Sequence, residues 1–213
     1  MKIRLTPLKR SVPQGGLSAL NEVQLCSRYQ AMLDQAMRSC YGPASWRRRK
    51  EAEARDLLAL AQISGRASVA ELDVAETLRA LVFLEVPVPC RSAIADRIEI
   101  TPEAVLGLTY PEAAISLPQP GFAFVQVRAP VRVWHANVGP PELGQPLCLG
   151  TRLPTGIPLN EILVMSYGAL SMQSVMIDEK DAAGVLNPDA ARWWQQNLHR
   201  IPLSREPFIR GNG

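Results

Sequence analysis

Between about residues 78 and 133 the chain consists of short apolar runs separated by turns that contain proline. Leu81–Leu84 and Phe122–Val125 are two of these runs. Runs of this length, bounded by turn residues, are typical of β-strands, so the pattern predicts an antiparallel meander. Since proline cannot donate a hydrogen bond to a ladder, the prolines are expected at strand ends, edges or turns. They are Pro87, Pro89, Pro102, Pro111, Pro118, Pro120 and Pro130.

Helical spacing precedes the predicted sheet. Apolar residues recur at intervals of three and four between Ser18 and Cys40, which predicts an amphipathic helix that Ser18 could cap. A second helix is predicted after Ser45, and Gly65 is its expected stop.

Helical spacing also follows the predicted sheet. A mostly apolar helix is predicted over 158–173, buried against the sheet. Asn187 is a good N-cap and Pro188 suits a first helical position, so a last helix should begin here and end before Pro202. The regular alternation of strands and helices that marks a parallel sheet is lacking, and the predicted fold class is therefore α+β.

Composition narrows the function classes. The chain is 47% hydrophobic and 20% charged, which is typical of a globular protein. Its net charge of +3 is small, and its basic residues are dispersed apart from the run Arg47 to Lys50, so nucleic acid is not an expected partner. Neither a membrane span nor a signal peptide is predicted, and the expected compartment is the cytoplasm. The four cysteines are accordingly expected as thiols rather than as a disulfide framework.

An irregular stretch from about Trp134 to Ile157 brings His135, Asn137 and Cys148 into one predicted loop. A cysteine thiol ionises near pH ~8.5 and is a nucleophile even when a small fraction is thiolate. Attack on a thioester builds negative charge on the carbonyl oxygen, and a neutral amide can donate a hydrogen bond to it. The residue types of this stretch therefore suit thioester exchange at Cys148, with Asn137 as a donor to the oxyanion.

The same stretch resembles the His-Pro-Asn and Ile-Cys-Leu signature of ubiquitin-conjugating enzymes. That family has an N-terminal helix, a four-stranded antiparallel meander, an active-site loop and C-terminal helices, which is the order predicted here from about residue 44 to 200. Ala136 stands in place of the family's proline, and the interval from histidine to cysteine is longer. The residues that carry the resemblance are His135, Ala136, Asn137, Gly144, Leu147, Cys148 and Leu149.

The resemblance implies a ubiquitin-conjugating-enzyme-like domain over 44–205. An extension with an amphipathic helix over 1–43 would precede it, and a tail over 206–213 would follow. The C-terminal half contains the run Leu159 to Leu170, the run Leu186 to Ala191 and the pair Trp193 and Trp194. With these it looks most like bacterial conjugating enzymes encoded beside ubiquitin-like proteins in antiphage defence.

The resemblance also implies roles for single residues. Cys148 would receive a ubiquitin-like modifier from an activating enzyme as a thioester and pass it to an amine on a target. Asn137 would order the loop or stabilise the oxyanion, and His135 would organise the loop without acting as a base. Acidic residues in the segment after the buried helix would orient the attacking amine, and the candidates are Asp178, Glu179 and Asp181.

Partners follow from the same resemblance. The basic run Arg47, Arg48, Arg49 and Lys50 is either a solvated helix face or the docking site for the activating enzyme. ATP would be consumed by that separate enzyme, because this chain has no phosphate-binding loop of the G-x-x-x-x-G-K-[ST] type. A conjugating enzyme of this type needs no cofactor in this subunit. A metal is not predicted, since the chain lacks paired cysteine or histidine ligands.

Other interpretations remain open. A conjugating-type fold could hold a modifier or partner without thioester chemistry, although Cys148 and Asn137 weigh against this. A cysteine hydrolase would need His135 as its general base. Buried cysteines are commonly small core residues, and that is the expected role of the other thiols, which are packed or idle: Cys26 and Cys40 at helical core spacing and Cys90 at a strand end.

Overall fold

The structure, a computed structural model, describes residue 20 and residues 23–92, 97–178 and 184–210. Helices lie before and after a central sheet in this part of the chain, which confirms the predicted α+β class. The helices are α1 Ser27–Met37, α2 Ala44–Ser64, α3 Leu159–Leu170 and α4 Pro188–Gln196. The strands are β1 Ala67–Asp73, β2 Leu78–Arg91, β3 Ile98–Tyr110, β4 Gln119–Pro120, β5 Val125–Ala129 and β6 Arg152–Leu153.

Four strands form one antiparallel sheet in the order β1-β2-β3-β5. The short β4 leaves this order and pairs with β6 in a separate ladder. The predicted four-stranded antiparallel meander is confirmed, but it begins at Ala67 rather than at about residue 78. Strand β1 carries no apolar run that would mark it, because its residues are small or polar apart from Val69 and Leu72.

Several prolines lie inside strands, contrary to the prediction. Pro87, Pro89 and Pro102 belong to the long hairpin of β2 and β3. The pairing register shifts between Glu85 and Val88, on either side of Pro87. A bulge of this kind leaves a residue outside the regular ladder, which is where a missing N–H donor is tolerated.

The run Phe122–Val125 is also placed differently. Strand β5 begins only at Val125, and residues 121–124 form a turn. Within that turn Phe124 is buried and Phe122 is exposed. The apolar run is therefore not a strand: it combines a buried turn residue, Phe124, with the first residue of β5, Val125.

The observed helices agree with those predicted from the sequence, except for the first helix. Helix α2 ends at Gly65 in the left-handed conformation, with φ 64°, as predicted. Helix α3 lies within the predicted 158–173. Helix α4 follows Asn187, whose Oδ1 accepts a hydrogen bond from Ala190 N at 3.0 Å, and it ends before Pro202. Helix α1 is shorter than predicted, and the proposed cap Ser18 lies outside the described residues.

The main core lies between the sheet and helices α1, α2 and α3. Tyr29, Leu33 and Ala36 of α1 belong to it. The Tyr29 hydroxyl also accepts a hydrogen bond from Val69 N at 3.1 Å, so α1 covers the outer edge of β1. The helix of the predicted extension 1–43 therefore shares the core of the following segment, and the boundary at residue 43 stays a prediction.

The predicted tail also touches the rest of the chain. The Phe208 ring packs edge-on against Tyr167 of α3, with 5.4 Å between ring centroids. Arg210 N donates a hydrogen bond to Ser64 O at 3.0 Å, at the end of α2.

A second, smaller core lies under the stretch that follows the sheet. It contains Ala136, Met172, Ile177, Val185 and residues of α4. Trp194 of α4 is buried here and donates from Nε1 to Trp134 O at 2.9 Å. This core holds α4 and the segment after α3 against residues 134–137.

In the described ranges, none of the helices combines the length and the apolar character needed to cross a membrane.

Candidate active site

Residues 137–148 form a hairpin at the edge of the sheet. Val138 and Leu147 form an antiparallel bridge, flanked by hydrogen bonds from Gly139 N to Pro146 O and from Cys148 N to Asn137 O, both at 2.8 Å. This register places Asn137 directly opposite Cys148. Residues opposite each other in an antiparallel pair have side chains on the same face, with Cβ atoms about 4.5–5.5 Å apart. The structure thus brings together two predicted site residues.

The turn of this hairpin accounts for the long interval between His135 and Cys148. Pro141–Leu143 forms a short 3-10 helix. Gly144 and Gln145 follow in the left-handed conformation, with φ of 79° and 50°. The residues between Gly139 and Pro146 thus form the turn, and the two arms pair on either side of Val138 and Leu147.

Cys148 is held closely by its neighbours. Leu147 N donates to Val125 O at 2.9 Å, and Leu149 N donates to Gly121 O at 3.2 Å. The Cys148 residue is only 4% exposed, and its Sγ donates to Gly150 O at 3.4 Å. Its thiol is therefore almost fully covered in this conformation.

Gly121 and Gly150 are in backbone contact beside Cys148. A Cβ atom placed on Gly121 would lie 2.0 Å from Gly150 O and 2.7 Å from Gly150 N. Only a residue without a side chain permits this approach, which fixes the path of the chain just after Cys148.

His135 is fully buried beneath the hairpin. Its Nδ1 accepts a hydrogen bond from Asn137 N at 3.0 Å, and its Nε2 lies 2.9 Å from Ala169 O. Nε2 must therefore carry the proton and donate to that carbonyl. Burial lowers the pKa of His135 to about 4. The ring joins the Asn137 arm to the end of α3 and remains neutral near pH 7.

The side chain of Asn137 is buried and directed at the segment after α3. Its Oδ1 accepts a hydrogen bond from Met176 N at 3.1 Å, and its Nδ2 donates to Gly184 O. The amide therefore holds both ends of the segment 176–184.

Ala136, between His135 and Asn137, has defined packing and hydrogen-bond partners. Its side chain lies in the second core, and its carbonyl oxygen accepts hydrogen bonds from Leu186 N at 2.9 Å and from Asn187 N at 3.0 Å. It therefore fixes the start of α4 against the hairpin.

Of the three acidic candidates, only Asp178 lies within the described residues. Asp178 is half-buried and follows Ile177, whose carbonyl oxygen accepts a hydrogen bond from Gln195 Nε2. Met176, two residues before Asp178, is held by Asn137, so Asp178 is near the Asn137 arm along the chain. Glu179 and Asp181 lie outside the described residues.

The basic run at the start of α2 is not one exposed surface, so both the solvated-face and the docking interpretations are wrong for Lys50. Arg47 and Arg48 are exposed, but Lys50 is fully buried. The Lys50 ammonium donates to the backbone oxygens of Tyr41, Val74, Ala75 and Glu76. A charged group bonded by four carbonyl oxygens anchors two loops and cannot meet a partner.

Arg49 is also engaged within the fold. It donates to Tyr110 OH at 3.1 Å and to Gly156 O at 2.9 Å, and it forms an ion pair with Glu53 at 2.6 Å. Glu53 Oε2 in turn accepts a hydrogen bond from Leu159 N at 2.6 Å, at the start of α3. This network holds the segment that follows the hairpin, so only Arg47 and Arg48 of the run remain available to a partner.

The other cysteines lie apart from the hairpin pairing. Cys26 is exposed at the start of α1, which contradicts its predicted core position. Cys40 and Cys90 are half-buried, and burial raises the pKa of the Cys90 thiol.

Gln145 and Glu53 are two buried residues that no pattern in the sequence predicts to be important for the site. Gln145 is buried in the turn of the hairpin, and Glu53 is buried at the start of α3. Glutamine and glutamate are common exposed residues, and neither lies in a motif. The one sequence signal at Gln145 is its position between Gly144 and Pro146, which are residues typical of a turn.

The fold and the site define an α+β protein with a thiol opposite an amide in a hairpin beside a four-stranded antiparallel sheet. Comparisons of the chain with protein-family models, curated proteins and solved structures gave no match. The more specific ubiquitin-conjugating-like fold therefore stays a prediction.

Proposed function

We propose that the chain is a ubiquitin-conjugating-type enzyme that carries a ubiquitin-like modifier as a thioester on Cys148 and transfers it to an amine. The observation that supports this best is the cross-strand register that puts Asn137 opposite Cys148. The order of helix, meander, hairpin and helices is compatible with the family that the motif resembles.

In the first step the Cys148 thiolate attacks the carbonyl carbon of the modifier's C-terminus, which arrives as a thioester on the activating enzyme. A carbon–sulfur bond forms, and the thiolate of the activating enzyme leaves and takes a proton from water. In the second step an amine attacks the same carbon, the Cys148 thiolate leaves, and the amine proton passes to water or a carboxylate. Asp178 is the described candidate for that carboxylate.

Asn137 would act chiefly by ordering the site. Its amide is hydrogen-bonded to Met176 N and Gly184 O. A direct contact with an oxyanion therefore has to use the second amide hydrogen, which does not face Gly184 O. Otherwise the contacts with Met176 and Gly184 have to rearrange. His135 is a positioning residue, because both its ring nitrogens are bonded to backbone atoms. For the same reason it cannot serve as the base of a cysteine hydrolase.

A non-catalytic module that binds a ubiquitin-like modifier or another partner is the second candidate. The burial of Cys148 favours it, because a covered thiol cannot attack a bulky thioester. The transferase proposal therefore requires the neighbours of Cys148 to open when the charged partner binds.

The setting of this activity is proposed from the resemblance of the C-terminal half. The chain would act in the cytoplasm of a bacterium, in a conjugation system of antiphage defence, with the modifier, its activating enzyme and a protein target as partners. The activating enzyme would supply the chemical energy from ATP, and Arg47 and Arg48 would contact it.

The test uses the full chain with candidate modifier, activating enzyme and ATP. Wild type should form an adduct that thiol reductants release, and Cys148→Ala should form none. Cys148→Ser should form an oxygen ester that resists the reductant, and Cys26→Ala should behave as wild type, because Cys26 lies apart from the hairpin. If the activating enzyme is charged but wild type forms no adduct while still binding the modifier, the non-catalytic module is the correct function.

A further inference from the structure

We propose that Gln145 is a positioning residue that sets the alignment of Asn137 with Cys148, an inference that rests on the proposed function. Gln145 lies on the Cys148 arm of the hairpin and is only 3% exposed. A glutamine is rarely buried without several partners for its amide.

The side chain of Gln145 binds two parts of the chain that precede the hairpin. Its Oε1 accepts a hydrogen bond from Val133 N at 3.0 Å. Its Nε2 donates to Val127 O and to Pro130 O, both at 2.9 Å. Val127 lies in β5, whereas Pro130 and Val133 lie in the segment that leads into the Asn137 arm. One amide thus ties the Cys148 arm to the sheet and to the start of the opposite arm.

The backbone of Gln145 supports the same connection. Its carbonyl oxygen accepts a hydrogen bond from Val127 N at 2.9 Å, and its N–H donates to Pro140 O at 3.2 Å. Its φ of 50° lies in the left-handed region, which a residue without a side chain adopts most easily. Glycine would relieve that strain but would lose the three amide hydrogen bonds.

These bonds act against a change of register between the two arms. A shift of one residue would turn Cys148 to the opposite face of the hairpin, away from Asn137. Because Gln145 is bonded to particular backbone atoms of β5 and of Val133, its arm cannot slide without breaking them. Gln145 makes no contact with the reacting atoms, so its effect is exerted through the backbone of Cys148 and Asn137.

The decisive variant is Gln145→Glu, which keeps the shape of the side chain. It replaces the donor Nε2 by an oxygen that faces the carbonyl oxygens of Val127 and Pro130 and repels them. Gln173→Glu is the matched control, because Gln173 Nε2 also donates to two carbonyl oxygens, those of Ser204 and Glu206, at 2.8 and 3.0 Å. Where the glutamate variant fails to fold, Gln145→Asn replaces it, since asparagine tolerates the left-handed backbone but is too short for all three bonds.

The first measurement needs no modifier. Iodoacetamide labels the thiols below the unfolding temperature of every variant, and peptide mass mapping gives a rate for each cysteine. Cys148 should react at least about tenfold faster in Gln145→Glu than in wild type, because the arm opens locally. Gln173→Glu should leave the rate at Cys148 unchanged, and the exposed Cys26 should react equally in all variants. Equal rates at Cys148 in wild type and Gln145→Glu, or equal acceleration in both variants, would overturn the proposal.

The second measurement is the rate at which the charged chain transfers the modifier to an amine. Once the chain carries the modifier as a thioester, discharge to a small amine should be about tenfold slower in Gln145→Asn than in wild type, while charging is retained, because the pair is misaligned. Charging and discharge both at the wild-type rate would contradict the positioning role. If wild type is never charged, the proposed function fails, and the labelling rates alone decide whether Gln145 aligns the arms.

Discussion

The imidazole of His135 accepts a hydrogen bond at Nδ1 and donates one at Nε2, so the folded chain holds one neutral tautomer. Protonation of Nδ1 would place two donors, Nδ1 and Asn137 N, against each other. Complete burial lowers the pKa of His135 to about 4. The opposed donors disfavour the charged form as well.

The first prediction is that His135 makes stability depend on pH. An unfolded histidine binds its proton below pH ~6.5, whereas folded His135 binds it only below about 4, so the unfolded state holds more protons between these values. The free energy of unfolding should therefore fall as pH falls through this window, by about 1.4 kcal/mol per unit and roughly 3 kcal/mol in total. Urea unfolding at several pH values from 7 to 4.5 measures the slope.

Variants at the two histidines isolate this effect. His135→Gln keeps a side-chain donor for Ala169 O and cannot titrate, so its curve should be flatter than that of wild type in this window. His199→Gln, at an exposed position, should follow wild type. Parallel curves for wild type and His135→Gln would contradict the prediction, because all other titrating groups are shared.

Single residues also mark how far the site could be predicted from the sequence. His135, Asn137 and Cys148 lie near one another along the chain, so a shared loop was predictable. Their alignment was not, because it depends on the turn at Gln145 and its bonds to β5. The burial of Lys50 could not be predicted either, since most of its carbonyl partners lie in the loop between β1 and β2.

At the scale of elements, the predictions that succeeded rest on local interactions. Asn187 caps α4 through a backbone atom three residues away, and Gly65 ends α2 through its own conformation. The turn at 121–124 depends on a distant partner, because Gly121 packs on Gly150. Strand β1 lacks an apolar run and depends on its pairing with β2, the next strand along the chain. Patterns along the chain carry the first kind of information and not the second.

The second prediction concerns the contact between Gly121 and Gly150. Gly121→Ala should lower the free energy of unfolding by about 1–3 kcal/mol, because its Cβ would overlap with the backbone of Gly150 and force the chain apart. The same shift should speed labelling of Cys148 by iodoacetamide, since Cys148 Sγ is bonded to Gly150 O.

Gly168→Ala is the matched control for this change. Gly168 lies within α3, and beyond its chain neighbours and the backbone of its own helix a Cβ atom there would meet nothing within 4 Å. Alanine should raise the free energy of unfolding by about 0.5–1 kcal/mol, because it restricts the unfolded chain. If Gly121→Ala were as stable as wild type and labelled as slowly, the close approach would not constrain Cys148.

At the scale of the whole molecule, the main core extends across the predicted boundary between 1–43 and 44–205. Leu33 of α1 is buried in that core, and Tyr29 and Arg28 are hydrogen-bonded to both backbone groups of Val69. A chain that begins at Ala44 would expose this apolar surface and the outer edge of β1. Exposed edge strands pair with other chains.

The last prediction is that a chain beginning at Ala44 unfolds at a lower temperature than the full chain and associates in sedimentation experiments. Two single changes grade the effect: Leu33→Ala should lower the free energy of unfolding by about 2–5 kcal/mol through a core cavity, and Tyr29→Phe by about 0.5–1.5 kcal/mol through one lost hydrogen bond. If the shortened chain stayed monomeric and melted with the full chain, residue 43 would be a true domain boundary, and α1 would be an accessory helix rather than part of the core.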